Sequence, residues 1–308
     1  MKTDKLIITV LLVAIGALMV IGTAIALYAV YYLAAPRECV GVIKVDGEIS
    51  TVSSSGGLFG SPTVGSDEIV RQINDAESRD DVKAVVLEVN SPGGSVVASK
   101  EIHDAVKEMK KPKVAYFREV AASGGYYISA PADYIVSEPD ALTGSIGVVA
   151  TFEDMSGLFN KIGLNYTIFK SGELKDIGTS TRPPTEKEKQ IMQAIINEIF
   201  SEFKSVVEEG RRGKLNQQKF NEILDARVLT GRQAKDVGLV DQIGNKRTAL
   251  VEAANLANMS FKKEPAVCDM GSANPFDGLL SGIGQGIAYT LRSLLSFNNA
   301  GGVRVSYT

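Results

Sequence analysis

The sequence has a single histidine and only two cysteines among its 308 residues. A metal site built from histidine and cysteine ligands needs several of these side chains close together, so this kind of site is not expected. Cys39 and Cys268 are far apart and form no CxxC pair, and we expect no disulfide framework from them. Cys39 is interpreted as a half-buried residue at the start of a strand.

The chain also lacks an excess of either charge. Its 33 basic and 36 acidic residues give a net charge of -3, so the composition does not favour binding to nucleic acid. Hydrophobic residues make up 44% of the chain and charged residues 22%, which is typical of a folded protein with a sizeable core.

The first 38 residues contain a long apolar run. No charged side chain occurs between Leu6 and Pro36. A helix from Leu6 to Leu33 would be about 42 Å long, enough to cross a hydrocarbon core of roughly 30 Å. We therefore expect an uncleaved transmembrane anchor, with a cleaved signal peptide as the less favoured alternative. The short N-terminal tail favours an N-terminus inside the cell, with the rest of the chain on the extracytoplasmic side.

From Cys39 onward, short apolar runs alternate with amphipathic segments, which predicts an α/β domain with mostly parallel strands at residues 39–259. The run VKAVVLEVN indicates a strand buried on both faces. NYTIFKSG is interpreted as a further strand. Residues 186–211 are predicted to form a long helix that packs against the core or another subunit. For residues 260–308, we expect an amphipathic helix and a tail at an oligomer interface or the membrane surface.

Three glycine-containing turns follow predicted buried strands: SPGG at residues 91–94, SGG at 123–125 and TGS at 143–145. The C-terminal ends of parallel strands meet at one edge of a sheet, where functional loops lie. The amide of Gly93 or Gly94, together with that of Gly124, could face one oxygen atom, as an oxyanion hole requires. Ser123, at the centre of this set, is a candidate nucleophile.

A serine nucleophile needs a base to take its proton. His103 lies in the middle of a predicted helix, and we interpret it as a packing residue. Lys170 and Lys175 follow the predicted strand NYTIFKSG, and the pattern alone does not choose between them. A lysine acts as a general base only when neutral, so its surroundings must disfavour the ammonium ion.

The motifs VNSPGG, AASGGYYIS, LTGSIGVV, KSGELKDIG and LTGRQAKDVGLVDQIG occur in this order behind the apolar run. Together they resemble signal peptide peptidase A, the membrane-bound serine peptidases of family S49. The resemblance implies a Clp protease/crotonase-like fold of the α/β class, preceded by an N-terminal transmembrane helix. It implies that Ser123 is the nucleophile and that Lys175, rather than Lys170, is the base. Ser145 is then expected to orient the lysine, and Gly94 and Gly124 to form the oxyanion hole.

The resemblance further implies a membrane-anchored serine endopeptidase that degrades remnant signal peptides and other apolar peptides. No metal, nucleotide or other cofactor is implied. The expected partners are peptide substrates, the membrane and further copies of the chain in a ring-shaped homo-oligomer. Neighbouring subunits of that ring could each contribute one member of the Ser–Lys pair. The alternatives are a related S49 peptidase that cleaves a stomatin-like membrane partner, a crotonase-like acyl-CoA enzyme and a non-catalytic scaffold.

Overall fold

The computed structural model describes residues 15–26, 38–56, 62–271 and 305–307. The chain up to Glu38 and the chain from Cys39 onward form two compact units. In the first unit, residues 15–26 are helical (α1) and exposed. Within the described ranges, no helix is both long and apolar enough to cross a bilayer. The rest of the predicted anchor falls outside those ranges, so the anchor stays a prediction.

The second unit is built on a mixed sheet of eight strands. They are β1 (Cys39–Asp46), β4 (Val82–Ser91), β6 (Lys113–Ala122), β7 (Tyr134–Ser137), β8 (Leu142–Gly144), β10 (Val228–Thr230), β11 (Gln242–Ile243) and β12 (Val267–Asp269). The order is β10-β8-β6-β4-β1-β12, and β7 pairs with both β6 and β11. All pairs are parallel except β10 with β8, which confirms the predicted α/β class.

A smaller sheet lies near the C-terminal ends of these strands. Its members are β2 (Glu48–Ser50), β3 (Thr63–Gly65), β5 (Gly94–Ser95), β9 (Val149–Ala150) and β13 (Val305–Tyr307). They are ordered β3-β2-β5-β13-β9. The strand β13 comes from the end of the chain and runs antiparallel to both of its neighbours.

Helices cover both faces of the main sheet. They are α2 (Ser66–Ser78), α3 (Val96–Glu108), α4 (Gly124–Tyr127), α5 (Ser156–Lys161), α6 (Glu186–Gly210), α7 (Gln217–Glu222), α8 (Gly231–Val237) and α9 (Lys246–Leu256). One face of the sheet packs against α9, and the opposite face packs against α2, α3, α4 and α6. Side chains along β4 therefore alternate between two buried layers, which is why its sequence is almost continuously apolar.

The cysteine prediction was wrong, because Cys39 and Cys268 form a disulfide with a Cα–Cα distance of 5.8 Å. The strand β12 is a parallel neighbour of β1, and its register places Cys268 opposite Gly41. Cys39 and Gly41 lie two residues apart on one strand, so their side-chain positions share a face of the sheet. A separation of 229 residues in sequence hides this proximity. Cys39 does begin a strand, as expected, but it is fully buried.

The predicted strand NYTIFKSG was also wrong. Residues 164–170 have no regular secondary structure, and Phe169 is 94% exposed.

The long helix was correctly placed, but its apolar stripe is covered only in part. Phe203 and Val207 in its C-terminal half are buried, whereas Ile195 is 38% exposed. The amphipathic helix expected near the C-terminus lies outside the described residues.

Candidate active site

The three glycine turns meet at one edge of the main sheet, as predicted. The register places Ser91, at the end of β4, beside Ala121 of β6. It places Ala122, at the end of β6, beside Gly144 of β8. The amide of Ser123 donates a hydrogen bond of 2.9 Å to the carbonyl oxygen of Gly144. The strand pairing therefore fixes the position of Ser123 between the other two turns.

Ser123 has a backbone conformation that L-residues rarely adopt. Its φ is 54° and its ψ is -120°, at the point where β6 ends and α4 begins. A residue held in such a conformation is strained, and strain of this kind is concentrated at functional sites. The Ser123 hydroxyl is buried and has no hydrogen-bond partner among the described residues. A serine on a sharp, strained turn between a strand and a helix has the geometry of a nucleophile.

The two glycines predicted for the oxyanion hole adjoin each other. A Cβ atom at Gly124 would lie 2.6 Å from the hydroxyl oxygen of Ser99 and 3.3 Å from the amide nitrogen of Gly94. A Cβ at Gly94 would overlap the carbonyl oxygen of Ile49, and φ at Gly94 is +150°. Gly94 therefore requires glycine, and at Gly124 any side chain would crowd Ser99 and the Gly94 amide. This close approach brings the two backbone segments together beside Ser123, and an oxyanion hole requires two amides placed close together in this way.

The backbone of β13 lies next to this pair of glycines. Ser306 pairs with Ser95 and Tyr307 with Gly94, on one side of the strand. On its other side, β13 pairs with β9. The space between β5 and β9 therefore accommodates an extended peptide strand through main-chain hydrogen bonds.

Among the described residues, neither Ser145 nor Lys175 forms a hydrogen bond with the Ser123 side chain. Ser145 is nearly buried, has a φ of 49°, and its amide donates to the carbonyl oxygen of Arg227 at 3.0 Å. Lys175 is exposed in a series of turns at residues 171–178. In the described part of the chain, its side chain forms no hydrogen bond or ion pair. The roles assigned to Ser145 and Lys175 stay predictions.

The other two candidate bases have partners elsewhere. His103 is buried in α3, where its Nδ1 atom lies 2.8 Å from Asp104 and its ring packs 5.0 Å from that of Tyr127. Burial lowers the pKa of His103. These contacts agree with a packing role. Lys170 forms an ion pair of 2.6 Å with Asp176, which distinguishes it from Lys175.

The residues grouped closely enough to hold a metal ion lie away from Ser123. Within the described ranges, this group is Cys39, Asp81 and Cys268. The two sulfur atoms are bonded to each other, so the oxidised pair does not offer thiolate ligands.

Comparison with known proteins identifies the family. The model of peptidase family S49 matches residues 105–260, and the Clp protease model matches residues 62–137. The chain is 40% identical over 238 residues to a protein from Methanocaldococcus jannaschii that is named as a protease. This match covers 74% of the chain and 75% of that relative. The chain belongs to peptidase family S49. It is a serine peptidase with a Clp protease-like α/β fold.

Two further relatives of the peptidase come from bacteria. A protein of Enterococcus faecium, named as the signal peptide peptidase SppA, is 37% identical over 230 residues. Protease 4 of Salmonella typhi is also 37% identical, over 237 residues. The matches cover 74% and 73% of this chain, but only 64% and 38% of the two relatives.

Sequence reasoning missed two features next to the predicted site residues. The first is Ser99, a buried hydroxyl with no hydrogen-bond partner among the described residues, which lies against Gly124. The second is a group of charges around Asp176, next to Lys175 in sequence. A sequence pattern could have indicated part of this group, because Thr185 and Glu188 match the capping box at the start of α6. Nothing in the sequence pattern pointed to Ser99.

Proposed function

We propose that the peptidase is a membrane-anchored endopeptidase that uses Ser123 as nucleophile and Lys175 as general base. The neutral amine of Lys175 accepts the proton of the Ser123 hydroxyl, and the oxygen attacks the carbonyl carbon of a peptide bond. The amides of Gly94 and Gly124 donate hydrogen bonds to the resulting oxyanion. The leaving amine receives the proton from Lys175. Water then hydrolyses the acyl-enzyme, with Lys175 again accepting and returning a proton.

The observation that supports this proposal most strongly is the strained turn at Ser123 beside Gly94 and Gly124. The pairing of β13 with β5 also supports it, because an extended peptide segment fits next to Gly94. A substrate bound in the same extended manner would present its carbonyl groups close to the nucleophile. Main-chain pairing of this kind selects for extended peptides more than for particular side chains.

We further propose that Lys175 serves the Ser123 of a neighbouring subunit in a homo-oligomeric ring. Lys175 is exposed, and the segment before it displays several apolar side chains to solvent. Tyr166 is 56% exposed and Ile162 is 60% exposed. Exposed apolar side chains in a contiguous segment are typical of an interaction surface. Contact with a second copy would cover them and could bring the base to the nucleophile.

The proposed substrates are remnant signal peptides and other apolar peptides, and the proposed location is the extracytoplasmic face of the cell membrane. The name of the Enterococcus faecium relative and the apolar run at residues 6–36 support the substrate class. The disulfide supports the location, because disulfides persist mainly in oxidising compartments.

The dyad is tested by labelling the enzyme with a serine-directed fluorophosphonate and by peptide hydrolysis. We expect both to be lost in Ser123→Ala and in Lys175→Ala. Lys161→Ala removes another exposed lysine of the same segment and should retain both. In the native enzyme, kcat/KM should rise with pH, because only the neutral amine accepts a proton. Normal hydrolysis by Lys175→Ala would exclude this mechanism.

The sharing of the site between subunits has its own test. Chains with Ser123→Ala and chains with Lys175→Ala, each expected to be inactive alone, are mixed after the oligomers have been dissociated. An interface that combines residues from two chains regains part of the activity in mixed rings. A site formed within one chain regains none.

A further inference from the structure

The loop around Lys175 places two carboxylates next to the proposed base. Glu173 precedes Lys175 by two residues and Asp176 follows it directly. A carboxylate close to an amine favours the charged ammonium form. Such a neighbour would oppose the function of a lysine that has to be neutral. The contacts of these two acids are therefore relevant to the proposed chemistry.

Asp176 is engaged by two cations other than Lys175. The Nζ atom of Lys170 lies 2.6 Å from Oδ1 of Asp176. The Nε and Nη2 atoms of Arg182 donate to its two oxygens at 3.2 and 2.9 Å. The Asp176 side chain is only 10% exposed. Arg182, followed by Lys170, holds the pKa of Asp176 well below its usual range.

Arg182 also connects this loop to the first turn of α6. Its Nη1 and Nη2 atoms donate to the two carboxylate oxygens of Glu188 at 2.9 and 2.5 Å. Glu188 in turn accepts a hydrogen bond of 2.7 Å from the amide of Thr185, which caps the helix. Arg182 and that amide lower the pKa of Glu188 to about 2. Arg182 thus bridges two nearly buried carboxylates, one on the loop and one on the helix.

The second flanking acid, Glu173, is also paired with another residue. Its carboxylate lies 2.7 Å from Nζ of Lys187 on α6. Both side chains are more than half exposed, so this pair is weaker than the contacts of Asp176. Glu173 and Lys187 line the same surface pocket as Lys175. The charged groups around Lys175 in this chain are therefore Glu173, Lys187 and the cluster centred on Arg182.

We propose that Arg182 is a positioning residue for the general base, because it fixes the Lys175 loop to α6 and prevents the Asp176 carboxylate from pairing with the Lys175 amine. This inference rests on the proposed role of Lys175. A salt bridge of the same strength that is distant from Lys175 would contribute only to the stability of the fold. Here the acid that Arg182 binds is the residue next to the base, so the pair also controls the charge at the site.

The experiment measures kcat/KM against pH for the full-length enzyme and for variants at this pair. In Arg182→Gln, Asp176 is freed in part, since Lys170 remains. We expect the pH of half-maximal kcat/KM to rise by about 0.5 to 1 unit and the activity at pH 7 to fall about threefold to tenfold. The double variant R182Q/D176N removes the freed charge and should return the half-maximal pH to the native value. Arg182→Lys should preserve most of the activity at pH 7, because it keeps the positive charge beside Asp176.

Two controls separate this effect from structural damage. Lys204→Gln removes one positive charge from an exposed ion pair with Glu208 on α6, and it should leave the pH profile unchanged. Asp176→Asn alone should lower kcat, because the loop loses an anchor, without moving the half-maximal pH. This variant is informative even where Arg182→Gln fails to assemble.

Either of two results overturns the inference. One is an unchanged half-maximal pH in folded Arg182→Gln. The other is a fall in half-maximal pH in Asp176→Asn, since it would show that this carboxylate already acts on the base in the native enzyme. In both cases Lys175→Ala remains inactive. Failure of the dyad itself is recognised separately, by full hydrolysis in Lys175→Ala.

Discussion

At the scale of single residues, backbone conformation distinguishes this site more clearly than side-chain chemistry does. Ser123 is one of four non-glycine residues in the described ranges with positive φ, and it stands between two turns that also require unusual geometry. The sequence predicted Ser123, Gly94 and Gly124 because their motifs are local. It could not predict Ser99, because its contact with Gly124 depends on how α3 packs against the end of β6.

Gly124→Ala tests whether this close packing shapes the oxyanion hole. The new methyl group meets Ser99 Oγ and the Gly94 amide, so the two backbone segments must separate. We expect kcat to fall about a hundredfold, as for loss of one oxyanion donor, with a small change in Tm. Adding Ser99→Ala should recover part of the activity, because it removes the nearer contact.

The matched control is Gly157→Ala in α5, where a Cβ would meet nothing within 4 Å. It should retain native kcat. Native activity in Gly124→Ala would mean that the packing of this glycine does not control the site.

At the scale of helices and strands, the reliable predictions were those in which burial dictates the pattern. The strand β4 is buried on both faces and reads as a continuous apolar run, so its position was clear. Residues 164–170 are also rich in apolar side chains, but they pair with no strand in the described part of the chain, and Phe169 is exposed. The contact between subunits that is proposed above would explain this hydrophobicity. Composition alone cannot distinguish such a surface from a strand in the core.

The end of α6 is attached to the sheet by a buried ion pair that the sequence did not reveal. Arg211 is fully buried, and it donates to both carboxylate oxygens of Asp241 at 2.8 and 2.9 Å. It also donates to the carbonyl oxygen of Gly238, at the end of α8. Burial alone would raise the pKa of Asp241, but Arg211, together with Lys214 and the Ile135 amide, holds this pKa below its usual range.

Asp241→Asn should therefore destabilise the fold in a pH-dependent way. Loss of the carboxylate leaves Arg211 buried without its charge partner, which costs about 3 kcal/mol in the free energy of unfolding at pH 7. Because the native pKa of Asp241 is depressed, its contribution is complete above the unfolded-state value of about 3.9 and is lost as pH falls through the native value. The difference in the free energy of unfolding between the variant and the native enzyme, measured by urea unfolding, should therefore become smaller below about pH 4.

Asp225→Asn is the comparison for this change. Its partner Arg227 is exposed, so little change in stability is expected at any pH. An equal loss in the two variants would show that burial of the Arg211–Asp241 pair is unimportant.

At the scale of the whole molecule, contacts between distant parts of the chain were the hardest to predict. The alternation of strands and helices predicted the α/β class, and the ordered motifs predicted the family. Neither could show that β12 returns to pair with β1, because parallel neighbours in a sheet can be separated by any length of chain. The disulfide between these strands follows from that pairing, and it links the first and last strands of the main sheet in chain order.

This disulfide should be a major source of stability for the peptidase domain. It closes a loop of more than two hundred residues, which restricts the unfolded chain and stabilises the fold by about 2–4 kcal/mol. We expect the double variant C39S/C268S to melt roughly 5–10 °C lower than the native enzyme. Unfolding in the presence of a reductant should lower the native Tm to that of the variant and leave the variant unchanged. Both cysteines are also expected to resist alkylation in protein that is isolated and unfolded without a reductant. Modification of two thiols under those conditions would show that the pair is reduced in the cell, and it would remove the support that the disulfide gives to an extracytoplasmic location.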